Sequence, residues 1–195
     1  MNKIKKRFPA NTTLDKPTFL NNSKISAELY AFFLVLSVGE NGETRVYKNK
    51  LPSTKIIAEE ILRKSRSTYN NYINTLKKEG YLEDKGEYWV LPKVEEMYFT
   101  MELDLLQHFI YSIKEEVLKV YIYLGQRYNY KPGDYVFTIK EICEHLGLGY
   151  ERNHKAISSH IDLLQNLGLI TIAYFYEGNK PMMRLKGFST TCPKK

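Results

Sequence analysis

The chain has 195 residues, 43% apolar, 13% aromatic and 26% charged, which excludes general disorder and allows one large domain or two small ones, each able to bury a core. Its net charge is +7, placed unevenly: residues 1–91 hold 16 Lys/Arg against 10 Asp/Glu, and residues 92–195 hold 13 against 12. A basic first half favours polyanionic partners, although excess charge also serves solubility.

The start, "MNKIKKRFPANTTL", has a basic cluster without a following apolar run, unlike a secretory signal. The longest apolar run, Leu29 to Val38, is broken by Ser37 and falls short of the ~20 residues that span a bilayer. Cys143 and Cys192 form no CxxC pair and no disulfide framework. A soluble, reduced, cytoplasmic protein without a membrane partner is expected.

In chain order, residues 1–22 read as a polar, flexible basic arm. Ser26 can cap a helix whose Leu29, Phe32, Phe33 and Leu36 form an apolar stripe. The turn "GENGE" and the strand "TRVYK" follow. "LPSTKIIAEEILRKS" predicts a short helix with Ser53 as N-cap and Ile56, Ile57 and Ile61 on one side. After a tight turn at Lys64–Arg66, "SRSTYNNYINTLKKEGYL" places Tyr69, Ile73 and Leu76 on the inward face of another helix, which Gly80 ends. "YLE", "DKGE" and "YWVL" predict a hairpin, with Trp89 packed inward.

The second half repeats the order. "YINTLKKEGYL" aligns with "HIDLLQNLGLI" at an offset of 88 residues, and the same offset sets "ELYAFFLVL" on "EVLKVYIYL". "KEEVLKVYIYLGQRY" reads as a helix and "YVFT" as a strand. "TIKEICEHLG" is a helix opened by a capping box, Thr138 with Glu141. "HKAISSHIDLLQNLG" has Ile157, Ile161 and Leu164 inward, and "LITIAYFY" with "MMRLKGF" closes a hairpin. The expected organisation is an arm at 1–22, a domain at 23–92, a strand and helix at 93–113, a second domain at 114–187, and a loose tail at 188–195.

Helix, strand, helix, turn, helix and hairpin is the order of a winged helix-turn-helix, and "SRSTYNNYINTLKKEGYL" resembles the recognition segment of winged-helix regulators such as the GntR and MarR families. The expected fold is therefore mostly helical α+β, two winged helix-turn-helix domains in tandem. With "KVYIYLGQRY" opening the second copy, the chain further resembles replication initiators and replisome organisers of Gram-positive plasmids and phages. That resemblance implies double-stranded DNA as partner, with replication proteins or self-association through the second domain as further partners.

The 100° step turns Arg66, Ser67, Thr68, Asn70, Asn71, Asn74, Lys77 and Lys78 outward. Arg reads guanine and Asn reads adenine bidentately, while Ser, Thr and Lys suit phosphate oxygens. Arg66, Thr68, Asn70, Asn71 and Asn74 form the expected base-reading set; Ser65, Ser67, Lys77, Lys78 and Lys85 form the backbone set. No acid lies between Ser65 and Lys78, whereas a merely solvated face usually mixes signs. The second helix offers a weaker set, Arg152, Asn153, His154, Lys155, Ser158 and Ser159, with Lys180 and Arg184 on its hairpin; Asp162 stands where the first copy has Asn74.

No GxxxxGK[ST] loop, His-x-His pair or catalytic triad pattern occurs, and Cys143 and His145, two apart on a helix, point away from each other. A non-enzyme without cofactor or metal is expected: a sequence-specific DNA-binding protein of replication, with a transcriptional regulator or a protein-interaction scaffold as the competing readings.

Overall fold

The computed structural model describes residues 4–10, 18–94 and 97–192. Helix α1 (Ala27–Leu36) begins at Ser26, whose hydroxyl accepts from the Leu29 N–H at 3.1 Å. Every residue from Ala27 to Leu34 is buried, Glu28 included, so α1 is enclosed on all sides rather than along one stripe. Leu36, expected inward, is exposed at the last turn.

Strands β2 (Val38–Glu40) and β3 (Glu43–Tyr47) form a tight hairpin with Asn41 and Gly42 both at positive φ, the geometry of a two-residue turn. The helix expected after Ser53 is short and wide, Ile56–Ile61, with the Leu62 N–H reaching back five residues to the Ile57 carbonyl at 2.9 Å. Ile57 is buried there, whereas Ile56 is exposed. Arg63, left-handed at φ 54°, turns the chain into α2 (Arg66–Lys78). Beyond Gly80 (φ 77°), β4 (Glu83–Asp84) and β5 (Tyr88–Leu91) make the hairpin, giving sheet order β2-β3-β5-β4.

Strand β6 (Tyr98–Glu102) and helix α3 (Leu103–Ser112) lead to α4 (Glu115–Tyr130), β7 (Tyr135–Phe137), α5 (Ile139–His145), α6 (Tyr150–Asn166), β8 (Ile170–Glu177) and β9 (Lys180–Phe188). The Thr138 hydroxyl caps α5 by accepting from the Glu141 N–H at 3.1 Å, while the Glu141 carboxylate, expected to close the reciprocal half of a capping box, accepts from the Tyr123 and Tyr135 phenols instead. The second sheet has order β7-β9-β8, the same relation as β3-β5-β4. The molecule is α+β, and the element order expected of each copy is present.

Two expectations of looseness are corrected. Within the supposed arm, β1 (Lys5–Pro9) pairs antiparallel with β6, and Phe8 faces Phe99. Phe8 and Phe19 are fully buried and meet Tyr30 edge-on at 5.4 and 5.1 Å. Two isolated aromatics in a polar stretch are enough to dock it, because each buries a large apolar surface; residues 1–3 and 11–17 of the expected arm lie outside the described set. The tail expected from residue 188 is also held as far as Cys192: Phe188 stacks on Tyr121 at 4.6 Å, the Ser189 N–H donates to Leu169 O at 2.9 Å, and Thr190 O accepts from the Glu102 N–H at 3.2 Å.

The core runs continuously through both copies, with α1 packed on α3 and on α4. Polar ties cross the same junction. Glu115 Oε1 accepts from the Ala27 N–H at 2.7 Å, filling an otherwise orphaned donor at the start of α1, and Lys119 Nζ donates to Ile25 O at 3.2 Å. Gly125 lets α4 sit directly on β6 and β9: a Cβ there would come within 2.7 Å of the Phe99 and Phe188 rings.

Candidate nucleic-acid interface

Helix α2 is fastened from its start. The Ser65 hydroxyl accepts from the Thr68 N–H at 3.1 Å and lies 2.9 Å from the Thr68 hydroxyl. Both side chains expected to meet DNA are therefore engaged in the N-cap. Tyr69, Ile73 and Leu76 are buried, and burial pushes the Tyr69 phenol up to about 12. That inward triad presents Ser67, Asn70, Asn71, Asn74 and Lys78 to solvent. Ser67, Asn71, Asn74 and Lys78 follow one another at four, three and four residues, a continuous outer ridge.

The charges beside the ridge are less free than the sequence implies. Arg66 Nε bonds Glu59 Oε1 at 3.0 Å from the preceding short helix, and Lys85 Nζ lies 2.9 Å from Glu83. Lys77 Nζ meets Asp84 Oδ2 at 2.7 Å, while Asp84 Oδ1 takes Lys48 Nζ at 2.5 Å. The Gly86 N–H and Trp89 Nε1 also donate to Asp84, at 3.1 and 3.3 Å. Hydrogen bonds from Lys48 and then Lys77 hold the Asp84 carboxyl well below the ordinary carboxylate range. This cluster locks the end of α2 to its hairpin, and Trp89 packs inward against Phe33 at 5.1 Å. Among the described residues, Lys78 is the one charged member of the expected α2 set without a carboxylate partner.

The tertiary structure adds one cation, Lys24, that spacing could not reveal. A shallow groove of ≈ 490 Å³ along one flank of α2 is lined by Thr68, Asn71, Asn74 and Lys78 together with Ser23 and Lys24. Lys24 lies more than forty residues from this helix in sequence, next to the expected arm, so no local signal links it to the ridge.

Helix α6 is a poorer surface. Arg152, Lys155 and Ser159 are exposed, but Glu151, Asp162 and the apolar Leu163 share that side. Asn153, His154 and Ser158, expected outward, are only half exposed. The Asn153 amide donates to Gly149 O at 2.8 Å, His154 Nδ1 lies 3.3 Å from Tyr150 O, and the Ser159 hydroxyl donates to Lys155 O at 3.0 Å, all turned to their own helix. Lys180 is exposed at the hairpin tip, whereas Arg184 stands over the Phe175 ring and 3.7 Å from Asp134.

Between the two helices the surface is mixed in charge. A cleft of ≈ 450 Å³ is lined by Glu28, Glu115 and Glu116, offset by Arg63, Lys64 and Lys114, with Ala156 and His160 of α6 on the far wall. Burial, reinforced by Glu115, raises Glu28 to about 7 against the pull of Arg63 and Lys64. Burial likewise lowers His160. No helix among the described residues is long and apolar enough to cross a membrane. In comparisons with family models, curated proteins and solved structures, nothing matches this chain.

Proposed function

We propose that the chain is a sequence-specific double-stranded DNA-binding protein built from two winged helix-turn-helix units, with α2 in the major groove. The observation that carries this is the outer ridge of α2. Ser67, Asn71, Asn74 and Lys78 stand exposed in one line with no acid on it, flanked by Asn70 and Lys24. Asn amides at that position can bond adenine edges, and Lys78 and Lys24 suit the adjoining phosphates. Arg66 joins by exchanging Glu59 for a base or phosphate, a release costing about 0–1 kcal/mol for so exposed a pair. Of the DNA-dependent roles, replication initiation or replisome organisation is proposed first, on the resemblance of the tandem arrangement, and transcriptional regulation second.

The mixed charge of α6, with its exposed Leu163, favours a protein-facing role for the second unit rather than a second reading head. A whole-molecule scaffold without DNA reading is the competing function.

The test is titration of the full chain against duplexes enriched from random sequence, read by fluorescence anisotropy at several salt concentrations. Affinity should fall steeply with salt, and Lys78→Gln should flatten the log–log slope by about 1. Asn71→Ala with Asn74→Ala should cost roughly 1–3 kcal/mol of discrimination per lost bidentate contact while leaving non-specific binding in place. Failure to enrich any sequence, or enrichment that these substitutions leave untouched, overturns DNA reading by α2 and leaves the scaffold.

A further inference from the structure

The second hairpin carries a feature that DNA binding by α2 does not use and does not depend on. Strand β8 is an outer strand of its sheet, eight residues long, and its sequence ITIAYFYE has no proline and no charge before Glu177. The edges at β2, β4 and β7 are only two or three residues long. A long, uncharged edge is a template for pairing with another strand unless something blunts it.

The register tells which groups are offered. Glu177 and Lys180 flank a two-residue turn and form its hydrogen-bonded pair, so Phe175 with Met182 and Ala173 with Arg184 are the next such pairs. The backbone N–H and C=O groups of Ile172, Tyr174 and Tyr176 therefore point away from β9. The Ile172 N–H is already taken by Gln165 Oε1 at 3.3 Å. Tyr174 and Tyr176 remain, and their side chains are 61% and 75% exposed, among the most exposed large apolar side chains of the chain. On β9, Pro181 sits where its missing N–H would point to the opposite edge, so that side of the tip is blunted while β8 is not.

We propose that β8 pairs antiparallel with β8 of a second copy about a two-fold axis through Phe175, joining the two sheets into one of six strands. This register uses the outward backbone groups of two residues on each chain, leaving the bond from Gln165 Nε2 to the Tyr174 hydroxyl at 2.9 Å in place: Tyr174 becomes the hydrogen-bonded partner of Tyr176 in the second copy, and Tyr176 of Tyr174. It is also self-complementary in side chains. Phe175 meets its own counterpart, giving an apolar row Met182, Phe175, Phe175, Met182 across the joint. Ala173 falls opposite Glu177 of the second copy, and its small side chain lets Arg184, the next residue along that row, reach that carboxylate by giving up its exposed 3.7 Å contact with Asp134. A shift by two residues would set Ile172, already bonded to Gln165, against Tyr176 and lose this match. The contact is isologous and closes at two copies.

Directly opposed, non-hydrogen-bonded residues of an antiparallel pair lie about 4.5 Å apart at Cα, within disulfide range. In a Cys192→Ser background, Phe175→Cys should therefore trap a covalent dimer under mild oxidation. Tyr174→Cys alone should not, but Tyr174→Cys mixed with Tyr176→Cys should. By light scattering the native chain should weigh twice its 22.9 kDa, and Phe175→Lys, which sets two cations face to face, should return it to 22.9 kDa with unchanged circular dichroism. A native chain of 22.9 kDa at its highest soluble concentration, with no more cross-linking at Phe175→Cys than at an exposed control such as Ser67→Cys, overturns the proposal. So does a dimer that survives Phe175→Lys and is not trapped by Phe175→Cys, since its joint would lie elsewhere.

Discussion

Glu28→Gln should convert a pH-sensitive junction into an insensitive one. Glu28 is 6% exposed at the start of α1, and burial followed by the neighbouring Glu115 raises its carboxyl from an ordinary 4.5 to about 7, despite Arg63 and Lys64. Between those two values the folded chain holds a proton that the unfolded chain has released, so stability falls as pH rises through this window. The contribution is whole below 4.5 and lost above about 7. At 1.36 kcal/mol per pH unit, the loss is at most about 3 kcal/mol. Gln keeps the shape of the protonated acid and cannot ionise. His160 and His145, both lowered by burial, act in the opposite direction, costing stability as pH falls, but they are present in both proteins and cancel in the difference. Urea unfolding of the two proteins from about pH 5 to pH 8 should show Glu28→Gln gaining on the native chain by up to about 3 kcal/mol at the alkaline end. In melting temperature that is roughly 6–12 °C for a chain of this size. Parallel curves would refute the reasoning, meaning that Arg63 and Lys64 hold Glu28 ionised in place.

Gly125→Ala should destabilise by about 1–3 kcal/mol, because the added methyl meets the Phe99 and Phe188 rings inside a packed joint; a urea midpoint unchanged from the native chain would show that the rings yield freely. Cutting the chain near Pro92 should leave residues 1–92 unable to fold alone, contrary to what two independent domains would do, since β1 loses its partner β6 and α1 loses α3 and α4. A cooperative thermal transition of that fragment by circular dichroism would show instead that the first unit folds without these ties.

Local pattern determined much of this molecule. The inward triad Tyr69, Ile73 and Leu76 follows from a 3.6-residue period, the caps at Ser26 and Thr138 from hydroxyls placed before apolar runs, and the hairpin turn at Gly86 from the freedom of glycine at positive φ. The internal echo at an offset of 88 residues was legible because the same helix and hairpin needs apolar residues at the same spacings. Whatever depends on distant segments was not legible. The docking of Phe8 and Phe19, the pairing of β1 with β6, and the single core around α1 and α4 arise from contacts that leave no periodic trace. The same holds at the candidate interface. An acid-free run from Ser65 to Lys78 describes the helix alone, whereas Glu59 and Asp84 arrive from neighbouring elements to pair with Arg66 and Lys77, and Lys24 arrives to join Lys78. Side-chain direction is set by the chain's own spacing, but the field around a side chain is set by what the fold brings within a few ångströms.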